Sequence, residues 1–212
     1  MVNILAQLGI SRCDTTKSVR IYVGGLPQKP EGALKYQVVY SLEAFHTAGG
    51  LSTMAFRYEG VIPTMEYKTL RYPGPRGAHG FLSRARLSRQ HSHRRKGQQV
   101  SPRDLTIAVL KLRLTKPKSR DLVALRVVAE GTKGGAPVTH TWELIERFDM
   151  RHEISAMERT TGFSLAITGL MQSSGAIAPG GVRTPDEAVP GDDYVAELAK
   201  RDIQLAYYRR SA

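Results

Sequence analysis

Two short runs hold side chains that could do chemistry. Glu43, His46 and Thr47 put a carboxylate, an imidazole and a hydroxyl within five residues, a set that can take up and return a proton. Lys68, Arg71 and Tyr72 come just before Pro73-Gly74. Polar groups beside a turn at the end of a strand are often the ones a scaffold offers to a small ligand. A guanidinium there can clamp a carboxylate through paired N–H donors. The histidines do not suggest a metal. His91 and His93 are two apart, while His46, His79, His140 and His152 are scattered, with no cysteine partners and no H-E-x-x-H spacing. His140 falls in an alternating strand and is read as a surface residue. Cys13 is the single cysteine. It can form no internal disulfide, fits a reducing cytoplasm, and is read as a small half-buried side chain.

The elements that must position these groups can be read from periodicity. Val2, Leu5 and Leu8 make one helical stripe over 2–9, with Gly9 as its stop. Residues 18–27 alternate as a strand through Val19, Ile21 and Val23, ended by Gly24, Gly25 and Pro27. A turn then leads to a second strand at 34–40. Residues 58–74 read as strands broken at Pro63 and closed by Pro73-Gly74. Ser101, Pro102 and Asp104 open a helix that presents Leu105, Val109 and Leu112 on one face. The clearest hairpin pairs 121–131 with 137–149 around Lys133-Gly134-Gly135. A long helix over 155–175 starts from a Ser155–Glu158 capping box and closes at Gly175. A helix near 192–200 and a strand over 203–208 finish the chain. The fold class expected is α+β, a mainly antiparallel sheet with helices packed on one face. No G-x-G-x-x-G follows a strand, so a Rossmann dinucleotide domain is expected to be absent.

The chain carries a net charge of +12 over 212 residues. Seven of those charges, from Arg76 to Lys96, lie between Pro75 and Gln98, where there is no acid. The basicity is therefore local. Phe81 is the one aromatic in that segment, which argues against a stacking surface for single strands. Only weak, salt-sensitive polyanion binding is expected of it, and the segment is read as a disordered basic loop. No apolar run approaches the roughly 18 residues of a membrane-spanning helix. No secretory signal is read at the N-terminus, and a cytoplasmic protein is expected.

Several runs together resemble the C-terminal catalytic domain of the saccharopine dehydrogenase family, with the lysine 6-dehydrogenase branch nearest. They are LEAFHTAG (42–49), YKTLRYPG (67–74) and SAMERTTGF (155–163), together with VGGLPQKP (23–30) and the stretch from RLTKP (113–117) to DLVALRVVAEG (121–131). The resemblance implies an NAD(P)-dependent amino-acid oxidoreductase that transfers a hydride at a C–N bond of a lysine-type substrate. It implies Arg71 on the substrate carboxylate, Lys68 and Tyr72 around the same pocket, and Glu43, His46 and Thr47 as catalytic candidates. It also implies Asn3 on the nicotinamide side, NAD or NADP as cofactor, and a homodimer. Residues 1–212 are then read as one substrate and dimerisation domain.

The chain departs from that family at three places. It begins at a helix resembling the one that follows the family's cofactor domain. Val2, Leu5, Leu8 and the 155–175 helix are accordingly expected to expose apolar faces that such a domain would cover. Tyr40-Ser41 runs straight into Leu42-Glu43, where the family has an extended loop and a further strand. Pro75 stands where the family has a histidine, and 75–98 matches no family run; it is read as a frame-shifted segment or a basic insertion. The chain alone is expected to be inactive. The alternative reading is a non-enzymatic dimerising protein whose basic segment binds polyanions.

Overall fold

A computed structural model describes residues 1–31, 50–72, 93–95, 98–114 and 120–211. The second strand expected at 34–40 lies outside them. Helix α1 (Val2–Ser11) leads into strand β1 (Thr15–Pro27). A short turn of helix, α2 (Met54–Arg57), precedes β2 (Thr64–Thr69). β3 (His93–Arg95) and β4 (Gln98–Val100) form a small antiparallel pair, so part of the basic segment is strand rather than irregular loop. Helix α3 (Pro102–Leu114) follows, then the hairpin β5 (Asp121–Lys133) and β6 (Ala136–Arg147). Helix α4 (Ala156–Glu158) passes through a π-helical turn (Arg159–Phe163) into α5 (Ser164–Ser173). Helices α6 (Pro185–Ala188) and α7 (Gly191–Ala199) and strand β7 (Ala206–Ser211) complete the chain.

Five strands make one sheet in the order β2-β1-β5-β6-β7, with β2 parallel to β1 and the other neighbours antiparallel. The alternation read from the sequence sets its two faces. Val19 and Ile21 of β1, Val127 and Ala129 of β5 and Trp142 of β6 point to one side. There they meet Leu5 and Leu8 of α1, Ile167 and Met171 of α5, and Tyr194 and Leu198 of α7 in a single core. Gly134 and Gly135 take φ of 60° and 80° in the β5–β6 turn, the left-handed pair that glycine allows in a two-residue hairpin loop.

Three expectations are corrected. Leu5 and Leu8 do not face outward but are buried on the sheet, and Val2 is half-buried. Gly9 does not stop α1, which runs on to Ser11. A Cβ at residue 9 would stand 2.6 Å from the Ala129 Cβ and 3.1 Å from the Trp142 ring, so this glycine lets helix and sheet touch. His140 is buried, 4% exposed, in a ring cluster with Trp142 and Tyr207. The outward face of α5 does match expectation, and the single apolar face read for α3 is exposed. Leu165 and Leu170 are exposed, and so are Leu105, Val109 and Leu112.

Candidate functional site

The described parts of the motif runs, 23–30, 67–72, 121–131 and the start of 155–163, gather at one end of the sheet, where β1 and β2 finish and β5 begins. Beyond β2 the chain stays beside β1 because the Leu70 amide donates to the Val23 carbonyl at 2.7 Å. Gly24 makes this approach possible, since a Cβ there would lie 2.8 Å from the Leu70 Cβ and 2.9 Å from its carbonyl oxygen. Tyr72 then donates its phenolic proton to the Pro27 carbonyl at 2.7 Å. Gln28 ties the end of β1 to the start of β5, its amide nitrogen donating to the Asp121 carbonyl at 2.8 Å. Asp121 is 1% exposed. Its carboxylate accepts the Ala156 and Met157 amides at 2.7 and 2.9 Å, so it caps α4 from another element. Ser155 and Glu158 close the capping box, and those hydrogen bonds lower the Glu158 carboxyl below its ordinary value.

Arg71 is half-buried on this edge, with one guanidinium N–H donating to the Leu70 carbonyl at 3.1 Å. Tyr67 lies within reach of its charge. Burial pushes the Tyr67 phenol up, and Arg71 offsets part of that rise. Gly50 sits directly on the Tyr67 ring, where a Cβ would fall 2.1 Å from ring carbons. Glu43, His46 and Thr47 lie outside the described residues, but the chain that carries them re-enters at Gly50 against Tyr67. The arrangement sets a guanidinium near the Tyr67 phenol at a sheet edge, chemistry suited to a carboxylate on a small organic molecule.

The other named candidates are placed elsewhere. Lys68 alternates to the opposite face of β2 from Tyr67, 2.9 Å from Glu66 and over the Tyr22 ring. Asn3 lies on α1, whose start meets α5 through the Met1 amine and the Ser164 hydroxyl at 3.4 Å. The Asn3 Oδ1 is buried with no hydrogen-bond partner. Cys13 is half-buried, and burial raises its thiol pKa, which disfavours the thiolate a nucleophile needs. Among the described residues no group of three His, Cys, Asp or Glu could hold a metal ion. None of their helices is long and apolar enough to cross a membrane.

Arg159 supports the site from behind. Its side chain is 9% exposed, and it donates to Glu146 at 2.8 Å, Asp149 at 3.1 Å and the Arg201 carbonyl at 3.1 Å. His152 hydrogen-bonds Asp149 as well, and with the nearby backbone amides it holds that carboxyl down at about 2. This cluster fixes the start of the π-helical turn, a feature often found at functional sites. Sequence reasoning did not single out Tyr67, Gln28 or Asp121 as site residues. For Tyr67 the signal was its place in the same run as Arg71; for Asp121 it was an acid opening an otherwise apolar strand.

NAD(P) does not fit these residues. A dinucleotide pyrophosphate needs a helix N-terminus with free amides behind a glycine-rich turn. The amides at the start of α4 are already taken by the Asp121 carboxylate, a negative charge that would repel a phosphate.

Residues 51–203 match the family model described as the saccharopine dehydrogenase C-terminal domain. The fold is similar to a solved structure, apo histidine-tagged saccharopine dehydrogenase (L-Glu forming) from Saccharomyces cerevisiae. The TM-score is 0.68 at 16% identity, over 98% of this chain and 70% of that one. At this identity the likeness is one of fold.

Proposed function

The chain belongs to the saccharopine dehydrogenase C-terminal domain family, and from that premise we propose that it is the amino-acid-holding half of an NAD(P)-dependent dehydrogenase. The reaction would move a hydride at a C–N bond of a lysine-type substrate. The observation that carries this reading is Arg71 beside Tyr67, at the sheet end where β1, β2, β5 and α4 meet. Arg71 takes the substrate carboxylate through paired N–H donors. Tyr67 forms one wall of the pocket. Tyr72, its hydroxyl committed to Pro27, holds the strand that carries Arg71 in place. Glu43, His46 and Thr47 are the proposed polar groups for the amino end and its proton. Asn3, with its unpartnered oxygen, is the proposed group on the nicotinamide side. Lys68, engaged by Glu66 on the other face, is left out.

The amides at the start of α4 are occupied by the Asp121 carboxylate, and on this reading the nucleotide is held by a separate domain. The pure chain should bind lysine or saccharopine without reducing NAD or NADP. Calorimetric titration tests the binding half. Arg71→Ala should weaken affinity by roughly tenfold or more, the loss expected for a hydrogen bond to a charged group. Unchanged affinity in that variant removes the site assignment. Reduced cofactor appearing with the chain alone removes the division of labour.

A further inference from the structure

Among the described residues, no side chain of α3 belongs to the buried core or packs against it. Leu105, Val109 and Leu112 form one stripe by helical spacing and are 57%, 54% and 85% exposed. Ala108, on the same stripe, is exposed as well. We propose that this stripe lies on an anionic lipid surface, with the helix axis in the plane of the headgroups.

Charge says what the stripe meets. Residues 75–120 hold 13 of the 31 Lys and Arg but 1 of the 19 Asp and Glu. This stretch therefore carries the whole net charge of +12, and the rest of the chain is neutral. α3 lies within it. The one acid, Asp104, sits in the first turn of α3, where its amide donates to the Ser101 hydroxyl at 3.4 Å. Lys111 and Arg113 occupy positions on either side of the stripe, and Lys111 is exposed. That is where long cationic side chains reach phosphate headgroups while the aliphatic groups between them enter the acyl boundary. A cluster of this sign next to an amphipathic helix is matched by anionic lipid.

Length fixes the orientation. The 13 residues of α3 make a rod about 20 Å long, short of the roughly 30 Å hydrocarbon core, so the helix lies on a bilayer rather than across it. A helix of this length is marginal by itself in water and gains most from covering an apolar face. Nucleic acid fits the stripe less well. It would satisfy the charge but leave Leu105, Val109 and Leu112 in water, and α3 has no aromatic ring on which a base could stack.

Flotation of the full chain with phosphatidylcholine vesicles containing about 30% phosphatidylserine tests the proposal. The wild-type chain should float with these vesicles and stay behind with pure phosphatidylcholine. Its partition should fall several-fold as salt rises from about 0.1 to 0.5 M. The double variant Leu105→Ser, Leu112→Ser keeps every charge and should weaken partition at least about tenfold. Lys111→Glu leaves the stripe whole and should weaken it several-fold. Val182→Ser, at a fully exposed aliphatic residue outside α3, should change nothing. Circular dichroism checks each variant for folding, and the lipid dependence of the wild-type chain stands apart from all of them. A wild-type chain that ignores the anionic vesicles, or floats equally with neutral ones, overturns the proposal. So does a folded double variant that floats as well as wild type, or DNA that displaces the chain from vesicles and binds the double variant equally well. The inference is independent of the substrate reading, because α3 holds none of the residues placed around Arg71.

Discussion

Arg71 and His140 show how surroundings assign a side chain its work. Arg71 is half-buried at the sheet edge, with its charge near Tyr67 and one N–H on the Leu70 carbonyl. His140 is sealed under Arg12, whose guanidinium lies 4.7 Å from the Tyr207 ring centre and 5.4 Å from that of Trp142. Its Nδ1 is 2.7 Å from the Tyr207 hydroxyl. Burial, then the charges of Arg12 and Arg209, lower its pKa from 6.5. The folded state therefore favours neutral imidazole. As pH falls below about 6.5, the unfolded chain takes up a proton that the folded chain resists, so stability declines with acidification. Denaturant titrations between about pH 5 and 7 should show that decline. His140→Gln should flatten it; an unchanged slope would show that other groups set it.

At the scale of elements, α1 tests propensity against packing. Glycine inside a helix costs about 1 kcal/mol relative to alanine, so an exposed Gly→Ala change there stabilises. Gly9 should behave in the opposite way, because the added methyl meets the Ala129 Cβ at 2.6 Å. Overpacking of this kind costs about 1–3 kcal/mol, more than the helix gains. Equilibrium urea unfolding of Gly9→Ala should show a net loss, and a rise in stability would mean that α1 can lift from the sheet without cost. Asp121 makes a related point for α4. That helix is capped from a distant strand, so its position is tied to the sheet end that bears Arg71.

At the scale of the molecule, α1 decides what kind of unit this chain is. Were it only a surface for another domain, trimming its apolar side chains would change stability by no more than about 0.5 kcal/mol. Leu5 is instead fully buried against both the sheet and the helices above it. Leu5→Ala should cost about 2–5 kcal/mol by calorimetry or denaturant unfolding. A negligible cost would return α1 to the role of a detachable docking element. Exposed apolar side chains lie in other places, among them the Leu105, Val109 and Leu112 stripe of α3 and Leu165 and Leu170 of α5.

The sequence by itself determined whatever depends on neighbours along the chain. The alternation in β5 and β6, the Gly134-Gly135 turn and the Ser155–Glu158 capping box are local, and each is present as read. The α+β class and the family followed from them and from the order of the runs. Tertiary structure alone decided which faces are covered. An apolar stripe such as Val2, Leu5 and Leu8 looks the same whether it meets its own sheet or another domain, and the stripe on α3 differs in being exposed among the described residues. It also decided the site. Gln28, Asp121 and the Tyr67–Arg71 run are far apart in sequence, and they come to one end of the sheet only because β1 pairs with β2 on one side and with β5 on the other. That pairing is a long-range choice, fixed by which buried faces fit together, and no spacing along the chain records it.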